Sequence, residues 1–229
     1  ATDVQGEAYR PQTTEGSASY TTGAMSTAIG LPMSIRETPQ SVSVVTRQQI
    51  EDEGLSNTAQ ILDSAPGISH VRNDSNRLSF SARGFTIDNF QFDGLASPIN
   101  GFWNFGATEM DSAIYDRVEI VRGSTGLLTG AGSPSAAVNF VRKRPLPEFA
   151  ASGSAGIGRW DERRGDVDVS APLTEDGRIA ARVVAAYSQK DSHVSYLDYG
   201  SRTLYGVVSS ELGPRTRLTT SYIVTMFVG

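Results

Sequence analysis

Phe102, Trp103 and Phe105, with Asn104 among them, fall in one Gly- and Asn-containing stretch from Ser97 to Thr108. Flat amphipathic rings beside an amide suit a binding surface better than a reaction centre. The same rings would serve almost as well to pack one domain against another. Elsewhere, Gly123 to Gly132 invites a phosphate-loop reading, but it lacks the Gly-Lys-Ser/Thr ending and Pro134 interrupts any following helix. The two histidines, His70 and His193, are too few for a His-rich metal site, and neither adjoins a motif with serine and acid partners. No carboxylate pair has a context that demands acid–base work. The expectation is a binding protein, not an enzyme.

Composition narrows the classes further. A 38% hydrophobic and 20% charged chain of 229 residues is not a disordered polyelectrolyte and has room for one large domain or two small ones. Its formal charge of −5 argues against a nucleic-acid partner. The absence of cysteine removes disulfide frameworks and thiolate metal sites. No run approaches the ~20 apolar residues of a membrane helix, and the N-terminus lacks the basic start and apolar core of a signal peptide. A membrane role would have to come from β-strands, whose alternating signal a mean hydropathy of −0.24 does not reveal.

Three textures must position these residues. Residues 1–35 are polar, rich in Thr, Ser and Gly and without sustained period, which predicts a flexible leader without secondary structure. From Arg36 to about Arg144 short strands and helices mix. Ser41–Val45 alternates as a strand; Thr46 caps a helix that stops at Gly54, with Gln49 in the capping-box position; a second helix, Asn57–Ser64, is closed by Pro66-Gly67. Strands are expected at Ile68–Val71, Arg77–Arg83, Phe90–Phe92, Arg117–Val121 and Ala137–Val141. This is an α+β globule, a small mixed sheet with short helices.

After Pro145-Leu146-Pro147, five segments of alternating character follow. They comprise Phe149–Ile157, Asp166–Leu173, Arg178–Tyr187, Arg202–Leu212 and Thr216–Thr225. Thr174–Gly177 and Gly213-Pro214 read as tight turns and Asp191–Ser201 as a longer loop. Such strands suit either a transmembrane β-barrel or a soluble sandwich with one wet face, and alternation alone does not separate the two.

Arg36-Glu37-Thr38-Pro39-Gln40-Ser41-Val42 resembles the plug of TonB-dependent siderophore receptors, and further matches follow in order. They are Leu62–Ile68, Ala82-Arg83-Gly84-Phe85, Asp93-Gly94, Asp116 to Gly123, Thr129 to Asn139, and Arg142-Lys143-Arg144-Pro145. Each is weak alone; seven in order over about 110 residues are specific. Within the family the resemblance is to the ferric-coprogen, ferripyoverdine and ferrioxamine receptors, with Trp103-Asn104-Phe105-Gly106 of the coprogen type.

The resemblance implies a leader and TonB-interacting segment at 1–35, a plug at 36–146, and the first antiparallel strands of a transmembrane β-barrel at 147–229. It implies an outer-membrane receptor of a Gram-negative bacterium that imports a ferric siderophore, hydroxamate or pyoverdine in type. Its partners would be TonB of the inner-membrane energising complex and outer-membrane lipids, with no nucleic acid. Iron(III) would be carried within the chelate, with no protein-bound metal or cofactor. A barrel of about 22 strands is implied, whereas five follow the plug here, and an open sheet edge is not tolerated in hydrocarbon. The chain is therefore expected to be a truncated fragment that does not transport alone, and the leader lacks a clear TonB box. A periplasmic signalling domain ahead of Ala1 stays open. The alternative is a surface or soluble β-rich interaction module binding carbohydrate or protein.

On the receptor reading, Arg83, Phe102, Trp103, Asn104, Phe105 and Thr129 are the expected chelate contacts, Trp103 foremost. Arg83 serves equally well as a structural ion-pair partner. Arg117, Glu119 and Arg122 alternate with Val118, Ile120 and Val121, and are expected to form ion pairs between plug and barrel interior. Arg142, Lys143 and Arg144 are expected to be a solvated basic face.

Overall fold

The computed structural model describes residues 13–25, 27–28, 33–72, 78–97, 110–123, 134–159, 161–191, 198–213 and 216–228. They fall into two units, the first of residues 1–108 and 115–143, the second of 109–114 and 144–229. The divisions expected from sequence lie after residues 35 and 146. The leader joins the first unit, residues 109–114 join the second, and the later boundary falls after Lys143.

The first unit begins with β1 (Ser41–Thr46), which runs directly into α1 (Arg47–Asp52). Thr46 ends the strand and caps the helix, its Oγ1 accepting from Gln49 N at 3.3 Å. For α2 (Thr58–Ser64) the cap is Asn57, whose side chain accepts from Gln60 N at 2.9 Å. Ala65, preceding Pro66, is already extended, and Gly67 takes φ +78°, so the helix stops there. Ile61 and Leu62 are its fully buried residues. Truncating Leu62 to Ala is expected to cost about 2–5 kcal/mol.

The remaining strands are β2 (Ile68–Arg72), β3 (Leu78–Ala82), β4 (Phe85–Thr86), β5 (Asn89–Phe92), β6 (Leu95–Ala96), β7 (Tyr115–Arg122) and β8 (Ala136–Arg142). They form a mixed sheet of order β1-β7-β8-β5-β6, in which only β5 and β8 run parallel, and a small sheet β2-β3-β4. Central β7 and β8 are buried along nearly their whole length. Two hairpins share one device: Arg83-Gly84 (φ +55° and +84°) joins β3 to β4, and Asp93-Gly94 (φ +51° and +83°) joins β5 to β6. Positive φ at both central residues is the type I′ requirement. The turn signals were visible in the sequence, but β4 and β6, two residues each, are too short to show a period.

The leader is not flexible where it is described. Thr14, Met25, Thr27 and Ala28 are buried, Met25 and Met33 exchange backbone hydrogen bonds at 2.9 and 3.0 Å, and Met25 and Ala28 pack on Val121. Its polar composition misled because threonine hydroxyls find buried acceptors a hundred residues away. The basic run is not a solvated face either. Arg142 pairs with Asp93 at 2.6 Å, Lys143 is buried and lies 3.6 Å from Glu15, and only Arg144 is exposed.

The second unit is an antiparallel meander of β9 (Ala150–Ile157), β10 (Arg163–Pro172), β11 (Ile179–Asp191), β12 (Asp198–Gly213) and β13 (Thr216–Val228). The expected loop at Asp191–Ser201 is shorter at its ends, where Asp191 pairs with Asp198 and Ser188 with Ser201, and its middle, 192–197, lies outside the described residues. Polar residues on both faces hid these strand ends. The apolar tail from Ile223 is likewise strand, paired in register to Val228. The faces are inverted relative to a soluble sandwich. Val167, Val183 and Leu204 are about half exposed, at 55%, 50% and 50%, whereas Asp168, Arg182 and Thr203 are each 4% exposed. Arg182 holds Asp168 through Nε and Nη2 at 2.8 and 2.6 Å and donates to the Arg144 carbonyl. Arg164 grips Asp111 with both terminal nitrogens, seating the 3-10 turn Ser112–Ile114 in this unit. Apolar-out, polar-in strands fit a wall facing lipid.

Candidate functional site

Four consecutive positions of β7 carry the polar centre of the first unit. Asp116, Arg117 and Glu119 are each 3% exposed or less. Neighbouring strand residues ordinarily face opposite ways, but the register shifts between Tyr115 and Arg117, so Asp116 occupies a bulge that re-aims its side chain. Arg117 Nη1 then reaches Asp116 Oδ2 at 2.7 Å and Nε reaches Glu119 Oε1 at 2.8 Å. Burial disfavours the arginine charge, yet Glu119 and Asp116 outweigh it, leaving the Arg117 pKa raised above its ordinary value.

The remaining oxygens of both carboxylates hold the leader. Asp116 Oδ1 accepts from Thr13 Oγ1 at 2.6 Å, Thr14 N at 2.8 Å and Glu15 N at 3.2 Å, while Thr14 Oγ1 donates to the Asp116 carbonyl and accepts from Arg47 N. Glu119 Oε2 accepts from Thr27 N at 3.2 Å and from the Thr27 hydroxyl. Asn139 donates to Thr27 Oγ1 at 2.9 Å and accepts from Gly94 N at 2.9 Å. Between these anchors Thr46 Oγ1 donates to the Ser19 carbonyl at 2.7 Å. The leader from Thr13 to Thr27 is thus a strap fastened at each end on one central strand. Such an array contributes specificity of seating more than net stability, because desolvating three charges offsets most of their attraction.

Arg117 and Glu119 were expected to pair with the barrel interior; their described partners lie within the first unit. Arg122 sits apart from them and serves as a brace. Its Nη1 donates to the Pro66 carbonyl at 2.7 Å, Nη2 to Ser43 Oγ at 2.7 Å and Nε to Ser41 Oγ at 3.3 Å. Its pKa is lowered by burial and by the charge of Arg83. Arg83 itself is exposed and left-handed, its Nη1 only 3.0 Å from where a Cβ on Gly123 would stand. Among the described residues Arg83 makes no salt bridge. Phe102, Trp103, Asn104, Phe105 and Thr129 lie outside the described residues. Sequence reasoning quoted Asp116 inside a motif but assigned it no role; its fasteners Thr13, Thr14 and Thr27 carry no local signal at all.

The chain resembles known proteins in sequence and in fold. Residues 34–137 match the TonB-dependent Receptor Plug Domain family. The ferripyoverdine receptor of Pseudomonas aeruginosa is 46% identical over 90% of this chain, and the ferrioxamine B receptor of Salmonella typhimurium 32% identical over 80%. The chain spans about a quarter of the length of the curated relatives it matches. Among solved structures, the alcaligin outer-membrane receptor FauA from Bordetella pertussis superposes with a TM-score of 0.88 at 66% identity, covering 96% of this chain and 37% of that one. The ferripyoverdine receptor of Pseudomonas aeruginosa, solved bound to ferripyoverdine, gives 0.87 at 44%, covering 93% of this chain and 28% of that one. The chain carries a TonB-dependent receptor plug domain at residues 34–137, with an antiparallel sheet of inverted faces after it.

Proposed function

We propose that this chain is the plug and first wall strands of an outer-membrane receptor that binds a ferric siderophore and imports it in a TonB-dependent manner. The observation that carries the reading is Arg83. A non-glycine residue in the left-handed region costs roughly 1–2 kcal/mol, and glycine or asparagine would take this turn position more readily. Here an arginine occupies it, exposed, without a salt bridge among the described residues, and beside the like charge of Arg122. A strained, unneutralised guanidinium is suited to an anionic or oxygen-rich ligand.

A hydroxamate or pyoverdine chelate presents such oxygens and holds Fe3+ with its own donors, so the iron is cargo and needs no protein ligand. Phe102, Trp103, Asn104, Phe105 and Thr129 are proposed to complete the contact, the rings against apolar edges of the chelate. The names of the relatives, receptors for ferripyoverdine and ferrioxamine B, support this ligand class. TonB is proposed to act on the leader, whose strap is what any pull from the N-terminal side meets first.

The test is tryptophan quenching of the complete receptor in detergent, titrated with ferric coprogen, ferrioxamine and ferripyoverdine. Saturable quenching by one chelate, lost in Trp103→Phe and weakened about tenfold to a hundredfold in Arg83→Gln, is the expected result. Absence of quenching by all three would overturn the ligand class.

A further inference from the structure

A second site lies on the apolar face of the meander. Ala155, Gly165, Tyr187, Arg202 and Met226 stand side by side in register across β9 to β13. Gly165 leaves a notch in that row. Below it Val167, Ala185 and Leu204 continue the same face, and with Gly165, Tyr187, Arg202 and Met226 they line a groove of about 600 Å³. Its outward walls are apolar apart from one end, where the Arg202 guanidinium lies over the Tyr187 ring, 5.8 Å from its centroid. The Tyr187 hydroxyl is turned aside, donating to Gln189 Oε1.

Arg202 differs from the other arginines of this sheet. Arg163, Arg164, Arg178, Arg182 and Arg217 each have a carboxylate within 4 Å. Among the described residues Arg202 has the ring and no carboxylate. Ring stacking holds the guanidinium plane while leaving N–H groups for an external acceptor. Arg163 precedes Gly165 by two residues on the same face and has only a long contact, 3.8 Å, to Asp161. Depth agrees. Ile179, next to the tight turn, and Tyr187 are eight residues apart on β11, about 26 Å along the strand and about 20 Å of height at the usual tilt, which brings Tyr187 toward the far edge of the roughly 25 Å apolar band that aromatic girdles flank. Arg202 therefore stands at headgroup level, at the end of the sheet opposite the Thr174–Gly177 turn.

We propose that this groove binds one phosphorylated membrane lipid, an acyl chain lying over Gly165 between Tyr187 and Leu204 and the phosphate on Arg202, with Arg163 in support. The assignment rests on the membrane-receptor reading but not on the chelate. A phosphate alone gains little at an exposed guanidinium; the apolar groove supplies the rest. A neutral lipid fills the groove but leaves the cation unmet.

The experiment is native mass spectrometry of the complete receptor in neutral detergent with added phosphatidylglycerol, phosphatidylcholine or inorganic phosphate, with chelate quenching recorded on the same samples. One phosphatidylglycerol is expected to be retained over phosphatidylcholine, the preference falling about fivefold in Arg202→Gln. Gly165→Leu, which fills the notch but keeps the charge, is expected to lose the adduct. Equal retention of both lipids, indifference to either substitution, or displacement by inorganic phosphate would each overturn the site. Chelate quenching unchanged in Arg202→Gln shows that the receptor reading stands whatever the lipid result; its absence in unsubstituted protein would sink that reading instead.

Discussion

Thr14 and Asp116, 102 positions apart, are joined twice: Thr14 N donates to the aspartate carboxylate and Thr14 Oγ1 to the aspartate carbonyl, both at 2.8 Å. Asp116 is at once a fastener of the leader and a partner of Arg117. Asp116→Ala removes both roles and leaves a buried arginine with one fewer counter-charge. The expected cost is about 3–5 kcal/mol. Hydrogen exchange of the complete receptor should show the amides of Thr14, Glu15 and Thr27 losing protection together; unchanged exchange at Thr27 would mean that the two fasteners act independently.

Arg122→Lys keeps the charge but not the fork. Lysine cannot meet the Pro66 carbonyl and the Ser41 and Ser43 hydroxyls in one plane. A loss of about 1–3 kcal/mol is expected, read as faster exchange at the end of α2 and in β1. A Lys variant indistinguishable from the parent would show that charge, not geometry, holds this joint.

Arg83→Asn separates fold from function. Asparagine tolerates the left-handed turn better than arginine, and the variant also removes a like charge from beside Arg122. Thermal stability is expected to hold or rise, by about 1 kcal/mol, while chelate affinity falls. A variant that loses stability and affinity in parallel would make Arg83 a structural residue.

Acid sensitivity is expected at one wall turn. The Asp176 carboxylate lies below its ordinary value of 3.8, chiefly through the Thr174 hydroxyl and then the Arg178 amide. A carboxylate depressed in the folded state contributes stability above its unfolded pKa and loses it as pH falls through the folded one. The turn should therefore loosen only below about pH 4. Thr174→Ala should move that loosening to higher pH; an identical acid profile in the variant would contradict the assignment.

Particular residues show how much of this was legible. Thr46, Asn57 and Gly67 announced both helices because caps act within three residues. Alternation placed Arg182 and Val183 on opposite faces, and the structure buries the first and exposes the second. Alternation could not say which face met water, because a sandwich and a barrel wall share a period and differ only in what lies outside. The strap was illegible for a different reason. Thr13, Thr14 and Thr27 have the composition of a solvated tail, and their acceptors, Asp116 and Glu119, belong to a strand a hundred residues on. Within the candidate site, the Arg83 turn was readable from Arg-Gly, but the unneutralised charge was not, since it depends on where Arg122 and Gly123 come to rest.

The separation of the strap from its strand also sets an order of assembly. Residues 13–27 leave the ribosome about a hundred residues before Asp116 and Glu119, and closing so long a loop is entropically disfavoured until β7 already lies between β1 and β8. We expect pulse-labelled exchange to protect β7 before Thr14; simultaneous protection would count against this. A segment made well before the strand it fastens to is then among the last to be seated, and the plug is closed by residues that come ahead of its central strand.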